Sequence, residues 1–132
     1  MGQGGTMWVE PLMNGKARGR FVLDTGASMV AISQEFADKL GLNLENVRTI
    51  PVHTANGQTT ARLTMLQSIE LKGARAENIT VGVISTLPPG MDGLLGLSFL
   101  ARFEMKLDAK AGRLELTERK RPNKAAPSKS PR

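Results

Sequence analysis

Phe21-Val22-Leu23-Asp24-Thr25-Gly26-Ala27-Ser28 is the stretch on which the reading of this chain turns. Its three leading apolar residues predict a buried strand. That strand runs straight into an acid, a small hydroxyl residue and a glycine. A carboxylate at the end of a buried strand is costly unless hydrogen bonds compensate it. Two readings stand side by side. Asp, Thr and Gly are ordinary turn residues, so the stretch can close a hairpin and nothing more. The same residues can hold a catalytic carboxylate on a rigid loop, and three residues alone do not choose between the two.

The rest of the chain bounds the answer. Its 132 residues fit one domain with a single core. Fourteen glycines and few helical patterns of any length predict short strands and tight turns, an all-β architecture. With no cysteine, neither a disulfide nor a thiolate metal site contributes. No apolar run approaches the ~20 residues of a membrane-spanning helix, and no signal-peptide core follows Met1. The net charge of +6 is concentrated at one end: residues 118–132 hold six Lys or Arg against one Glu, which leaves +1 for the remainder. That basic segment, rich in Pro, Ala and Ser, lacks the apolar surface to fold, and a disordered tail is expected. Attraction to nucleic acid or an anionic membrane is only weakly suggested, since no aromatic residue interleaves the charges.

Taken in order, residues 1–6 form a flexible glycine-rich start. Met7 to Met13 and Lys16 to Leu23 read as strands joined by a two-residue turn at Asn14-Gly15. Met29 to Ile32 reads as a strand. Ser33 is a helix N-cap, with Phe36 and Leu40 on one face and Gly41 at the stop. Asn56-Gly57 is a second hairpin signal, following an extended run from Val47 to Ala55. Arg62 to Leu71 and Ile79 to Ile84 continue the sheet around a turn at Lys72-Gly73. Pro88-Pro89 rules out a central strand there. Gly112 marks a last turn between Phe103 to Leu107 and Arg113 to Leu116.

Apolar residues before Asp24-Thr25-Gly26, Ala27-Ser28 after it, and Gly93-Leu94-Leu95-Gly96 late in the chain change the balance. With Gly96 seventy residues past Gly26 and Leu97-Ser98-Phe99-Leu100 following it, residues 7–117 resemble the retropepsin-like aspartic proteases. These are the single-domain, half-size relatives of pepsin, and the likeness runs to bacterial and cellular members. The resemblance implies a closed β-barrel with one or two short helices. It also implies an aspartic endopeptidase acting on polypeptides as a homodimer, with no metal and no cofactor. Bacterial relatives often carry an amino-terminal membrane anchor that puts the domain in the periplasm. This chain either lacks such an anchor by nature or is a fragment of a longer protein, and the resemblance does not fix its localisation.

The resemblance assigns roles residue by residue. Peptide hydrolysis without a metal or a covalent nucleophile needs an activated water and an acid for the leaving nitrogen. Two adjacent carboxyls supply both, because like charges so close cannot both ionise easily, and they titrate as a coupled pair. One Asp-Thr-Gly per chain implies that Asp24 meets its mate from a second copy across a two-fold axis. Thr25 would bond to the partner loop, and Gly26 would let backbone approach the carboxylates. Ser28 matches a position whose hydroxyl often bonds the outer carboxylate oxygen. Leu94, Leu95 and Gly96 would support the loop. Ala55, Asn56, Gly57 and Gln58 would form a flap over substrate, and Met91, with Met29 or Val30, would line a side-chain pocket. Viral members carry an acid and an Arg where Ser28-Met29 and Leu97 stand here, so the viral dimer contacts do not transfer.

Competing readings remain in view. Asp92 lacks the preceding apolar strand and the following hydroxyl residue, and reads as a turn residue rather than a second acid. His53, the only histidine, has no ligand-spaced partners. A phosphate-binding ATPase fold needs two large lobes and a glycine-rich cradle that this chain lacks. The alternative function is a peptide-binding or dimerisation module of the same fold with weak catalysis.

Overall fold

The computed structural model describes residues 7–54, 57–85, 87–108 and 110–118. Its first feature is a hairpin whose two arms both bend. The outgoing arm consists of β1 (Trp8–Val9) and β2 (Leu12–Met13), and the returning arm of β3 (Ala17–Arg18) and β4 (Phe21–Leu23). Two unbroken strands are expected from sequence. Pro11 has no N–H to give a ladder, and its carbonyl instead accepts from Gly19 N–H at 3.2 Å, so both arms bend at the same level. Asn14 and Gly15 take left-handed φ values of 55° and 64°, the turn that an Asn-Gly pair favours. The Asn14 side chain does more than turn the chain. Its oxygen accepts from Gln67 N–H at 2.7 Å and from Ser68 N–H at 3.3 Å, which pins the hairpin tip to a distant strand.

The remaining elements are β5 (Val30–Ser33), α1 (Gln34–Leu40), β6 (Thr49–Thr54), β7 (Gly57–Leu71), β8 (Ala74–Ile84), β9 (Gly93–Leu95), α2 (Leu97–Leu100), β10 (Phe103–Asp108) and β11 (Arg113–Glu118). Nine strands form one sheet in the order β1-β4-β9-β5-β8-β7-β2-β3, with β6 added on β7. β1 and β2 are successive pieces of one arm, yet β1 lies at one end of this order and β2 next to the other end. The sheet therefore curls round as a half-barrel that brings its two ends near each other, with no ladder between them among the described residues, in keeping with the all-β retropepsin-like fold that the sequence resemblance implies. Strand β8 begins five residues before the expected Ile79, and its small and charged start, Ala74-Arg75-Ala76-Glu77-Asn78, carries little strand signal.

The interior of the curl is filled by fully buried Phe21, Ile32, Phe36, Leu66, Ile79 and Phe99. Burial of each such side chain contributes about 1.5–3 kcal/mol. Phe21 and Phe36 meet edge to face with centroids 5.5 Å apart, fastening α1 to β4. Helix α1 starts where Ser33 Oγ accepts from Phe36 N–H at 3.0 Å and stops at Gly41, whose φ is 72°. β10 and β11 form a separate antiparallel hairpin, attached to the body by buried Phe103 and Leu114. The segments 1–6 and 119–132, to which the sequence assigns a flexible start and most of a basic tail, lie outside the described residues.

Candidate active site

Asp24 sits where three elements converge on one loop. β4 runs parallel to β9, pairing Phe21 with Gly93, Val22 with Leu94 and Leu23 with Leu95. The ladder extends one residue further, since Asp24 N–H donates to Leu95 O at 3.1 Å. The chain then turns sharply. Ala27 N–H donates to Asp24 O at 3.2 Å, and Gly26 N–H donates to Asp24 Oδ1 at 2.9 Å. The half-buried carboxylate is thereby oriented by its own loop. A Cβ on Gly26 would stand 3.2 Å from that oxygen, so glycine is the residue that fits.

The loop is held from behind as well. Leu97 N–H donates to Ala27 O at 2.9 Å. Ser98 Oγ accepts from Val30 N–H at 2.9 Å and donates to Thr80 O at 2.8 Å. One hydroxyl thus joins α2, the start of β5 and the middle of β8. Ser98 carries no sequence signal, because nothing in Leu97-Ser98-Phe99-Leu100 marks a hydroxyl whose partners lie 68 and 18 residues away. Leu94, Leu95 and Gly96, the residues to which the resemblance gives a supporting role, are all buried. A Cβ at Gly96 would come within 2.3 Å of Met29 O, and one at Gly93 within 2.1 Å of Ala31 O. Backbone passes backbone here with no room for a side chain.

The other predicted residues divide. Thr25, Gly26 and Ser28 are exposed, and the only hydrogen bond to the Asp24 carboxylate among the described residues is that from Gly26. Ser28 makes no such bond within the single chain. Met91 and Met29 are half-buried and pack with Val22, Ile50 and Leu87 around Ala31, Val52, Ala61, Ile84 and Leu94. This second, smaller apolar cluster lies between the β6–β7 hairpin and the strands flanking the loop. Val30 does not belong to it. Fully buried in the main core, Val30 cannot line a surface pocket, because its position on β5 faces the barrel interior.

The β6–β7 hairpin is present, but its register pairs Thr54 with Gly57. Gly57 therefore opens β7 and is not inside the turn, Gln58 follows on the strand opposite His53, and Ala55 and Asn56 lie outside the described residues. Asp92 is accounted for structurally. Its Oδ2 accepts from Arg20 N–H at 2.8 Å, its N–H donates to Arg20 O at 2.8 Å, and its carbonyl accepts from Ser33 N–H at 2.9 Å. It faces Arg20, four residues before Asp24 along β4, which at strand rise is roughly 13 Å away. A carboxylate so placed cannot share a proton with Asp24 in the same chain.

Residues 9–102 match the family described as "gag-polyprotein putative aspartyl protease". Uncharacterized proteins from a Sinorhizobium species and from Rickettsia prowazekii are 41% and 37% identical over 87 and 89 residues. Each match takes in 64% of this chain, which spans only 36% of either relative's length. Among solved structures, a retropepsin-like aspartic protease from Rickettsia conorii is 32% identical with a TM-score of 0.65, covering 81% of this chain and 80% of that one. The retroviral protease-like domain of Ddi1 from Leishmania major (19% identity, TM-score 0.58, 86% and 90% covered) shares the fold. So does the inhibitor-bound EIAV protease (18%, 0.59, 76% and 90%). On this likeness over most of its length, together with an Asp-Thr-Gly loop braced by Gly93-Leu94-Leu95-Gly96, the chain belongs to the retropepsin-like aspartic protease family.

Proposed function

We propose that the chain is an aspartic endopeptidase whose Asp24 works with the Asp24 of a second copy across a two-fold axis. The observation that carries this reading is a single carboxylate, oriented by Gly26 N–H on a braced loop, beside the exposed residues Thr25, Gly26 and Ser28. The nearest acidic candidate along the strand, Asp92, is committed elsewhere. On this reading the site is half of a dyad, and the exposed residues beside Asp24 are the surface that would meet the other half.

In the dimer the two carboxyls share one proton. The ionised one takes a proton from a water molecule as its oxygen attacks the peptide carbonyl carbon. The protonated one hydrogen-bonds the carbonyl oxygen, and the gem-diol intermediate collapses as the leaving nitrogen is protonated and the C–N bond breaks. Thr25 bonds to the partner loop and keeps the two acids in register. Residues 55–58 close over the extended substrate as a flap, and Met91, Met29 and Val22 receive side chains next to the scissile bond.

Asp24→Asn tests the reading. Cleavage of a mixed peptide library is expected to fall by at least about a thousandfold, with the melting temperature unchanged. A wild-type chain that retains peptides without ever cutting them is instead a binding module of the same fold. Size measured in solution alongside pH-dependent cleavage tests the shared site: a strict monomer that still cuts peptides refutes it.

A further inference from the structure

A second surface, outside the Asp24 loop, has the makings of a binding site. Among the described residues, strand β1 stands at one end of the sheet order and is paired with β4 alone, which leaves its outer edge without a ladder partner there. Leu23 N–H donates to Met7 O, while Trp8 stands opposite Val22. In an antiparallel pair, alternate residues bond inward. The N–H and C=O of Trp8 therefore point to the open edge. The Trp8 indole is 44% exposed, a costly placement for the chain's single tryptophan. Arg20 lies over it, with the guanidinium carbon 4.2 Å from the ring centroid.

Beside this edge runs a groove of about 340 Å³ lined by Trp8, Val9, Glu10, Arg18, Arg20, Leu71 and Lys72. Three cations face one acid. Arg18 spends one N–H on Glu10 O at 3.0 Å, which fixes its direction. Among the described residues, none of the three cations is paired with a carboxylate; the ion pair present, Arg75 with Glu77, lies elsewhere. The excess of two positive charges in this one groove is larger than the +1 left to residues 1–117 as a whole.

We propose that this groove binds an acidic, extended polypeptide segment, which adds to the free edge of β1 and lays its carboxylates against Arg18, Arg20 and Lys72. Main-chain pairing along the edge supplies orientation, and charge supplies selection. The open strand edge favours a peptide over a nucleic acid, since only a polypeptide can continue the ladder. Because β1 abuts β4, a segment held there lies two strand spacings, about 10 Å, from the strand that ends in Asp24. The proposal does not depend on turnover and can be read in a chain carrying Asp24→Asn.

Trp8 is its own reporter, as no other tryptophan or tyrosine is present. The full-length chain is titrated with a peptide of about six residues, one strand's length, alternating Glu and Thr. A saturable change in tryptophan emission is expected, weakening as salt shortens the reach of the charges. The same peptide with Gln for Glu is expected to bind at least about tenfold more weakly. In the Arg18→Ala/Lys72→Ala chain, affinity for the acidic peptide is expected to fall roughly tenfold. The basic segment 119–132 is unchanged in that chain, so affinity that survives belongs to the tail and overturns the proposal. Three further outcomes also overturn it: no saturable change, an equal response to the Gln peptide, or an equal or stronger response to an oligonucleotide of matching charge.

Discussion

The floor of the candidate site and the β6–β7 hairpin are built on opposite terms. In the floor, β4, the Asp24 loop, β5 and β9 approach so closely that a single methyl group at Gly93 or Gly96 would strike a backbone carbonyl. Loop and strand groups there are tied by hydrogen bonds that Ser98 Oγ accepts from Val30 N–H, Leu95 O accepts from Asp24 N–H and Leu97 N–H donates to Ala27 O. Where β6 and β7 pair, only Val52 and Ala61 are buried among the described residues, and Pro51, Gly57, Gln58 and Thr60 are exposed. An added Cβ at Gly57 meets nothing within 4 Å. The difference teaches what each part can do. Close packing holds a carboxylate to one geometry, as pre-organised catalysis requires. Sparse packing leaves a hairpin end free to open locally, at far less than the global cost of unfolding.

The largest expected effect attacks the floor. In Gly93→Ala or Gly96→Ala the new methyl meets backbone, at 2.1 Å and 2.3 Å, which cannot swing aside as a flexible side chain would. Relief requires β9 to separate from β5. A loss of about 3 kcal/mol or more is expected, read as a fall of roughly 10–20 °C in thermal melting. A melt within a degree or two of the parent's would show that the crossing yields, and would end the contrast with the hairpin.

Ser98→Ala comes next. It strips the buried Val30 N–H of its acceptor and Thr80 O of its donor, while leaving only a small void. About 1–3 kcal/mol is expected in urea unfolding, with peptide cleavage falling further than the stability change explains, because β5 leaves the loop at Val30. Equal stability in parent and variant would mean that the hydroxyl is replaceable and the brace lies in the glycines alone.

These two effects differ in how far the sequence foretells them. Gly93 and Gly96 are visible as glycines bracketing an apolar pair, and the separation from Asp24-Thr25-Gly26 makes the pairing specific. Ser98 is not visible, because a serine in a one-turn helix has no pattern until the fold brings Val30 and Thr80 to it. The same division runs through the barrel. Turns at Asn14-Gly15 and Lys72-Gly73, and the caps of α1, are local and legible in left-handed backbone preferences. The parallel pairing of β4 with β9 and the clamp of Asn14 on Gln67 and Ser68 are long-range, and only the folded chain reveals them. Asp92 shows the reverse case: composition marks it as a turn residue, but it follows the turn at Pro89-Gly90, and its three bonds to the backbone of Arg20 and Ser33 give it a bracing role that composition does not announce.

The smallest effect belongs to the hairpin and sharpens the comparison most. Gly57 has a φ of 111°, a region that residues with a Cβ rarely enter, so Gly57→Ala carries strain even though space is free. If the end of the hairpin opens independently, that strain is relieved by local fraying and hardly reaches the core. Global unfolding is then expected to shift by about 1 kcal/mol or less, whereas amide hydrogen exchange near the first residues of β7 speeds up. Cleavage of an extended peptide is expected to suffer chiefly through KM, because a frayed hairpin binds substrate less often but leaves the carboxylates where they are. Should Gly57→Ala instead lower stability as much as Gly96→Ala does, the hairpin and the floor would be one cooperative unit. The division between a fixed platform and a movable cover would then be lost.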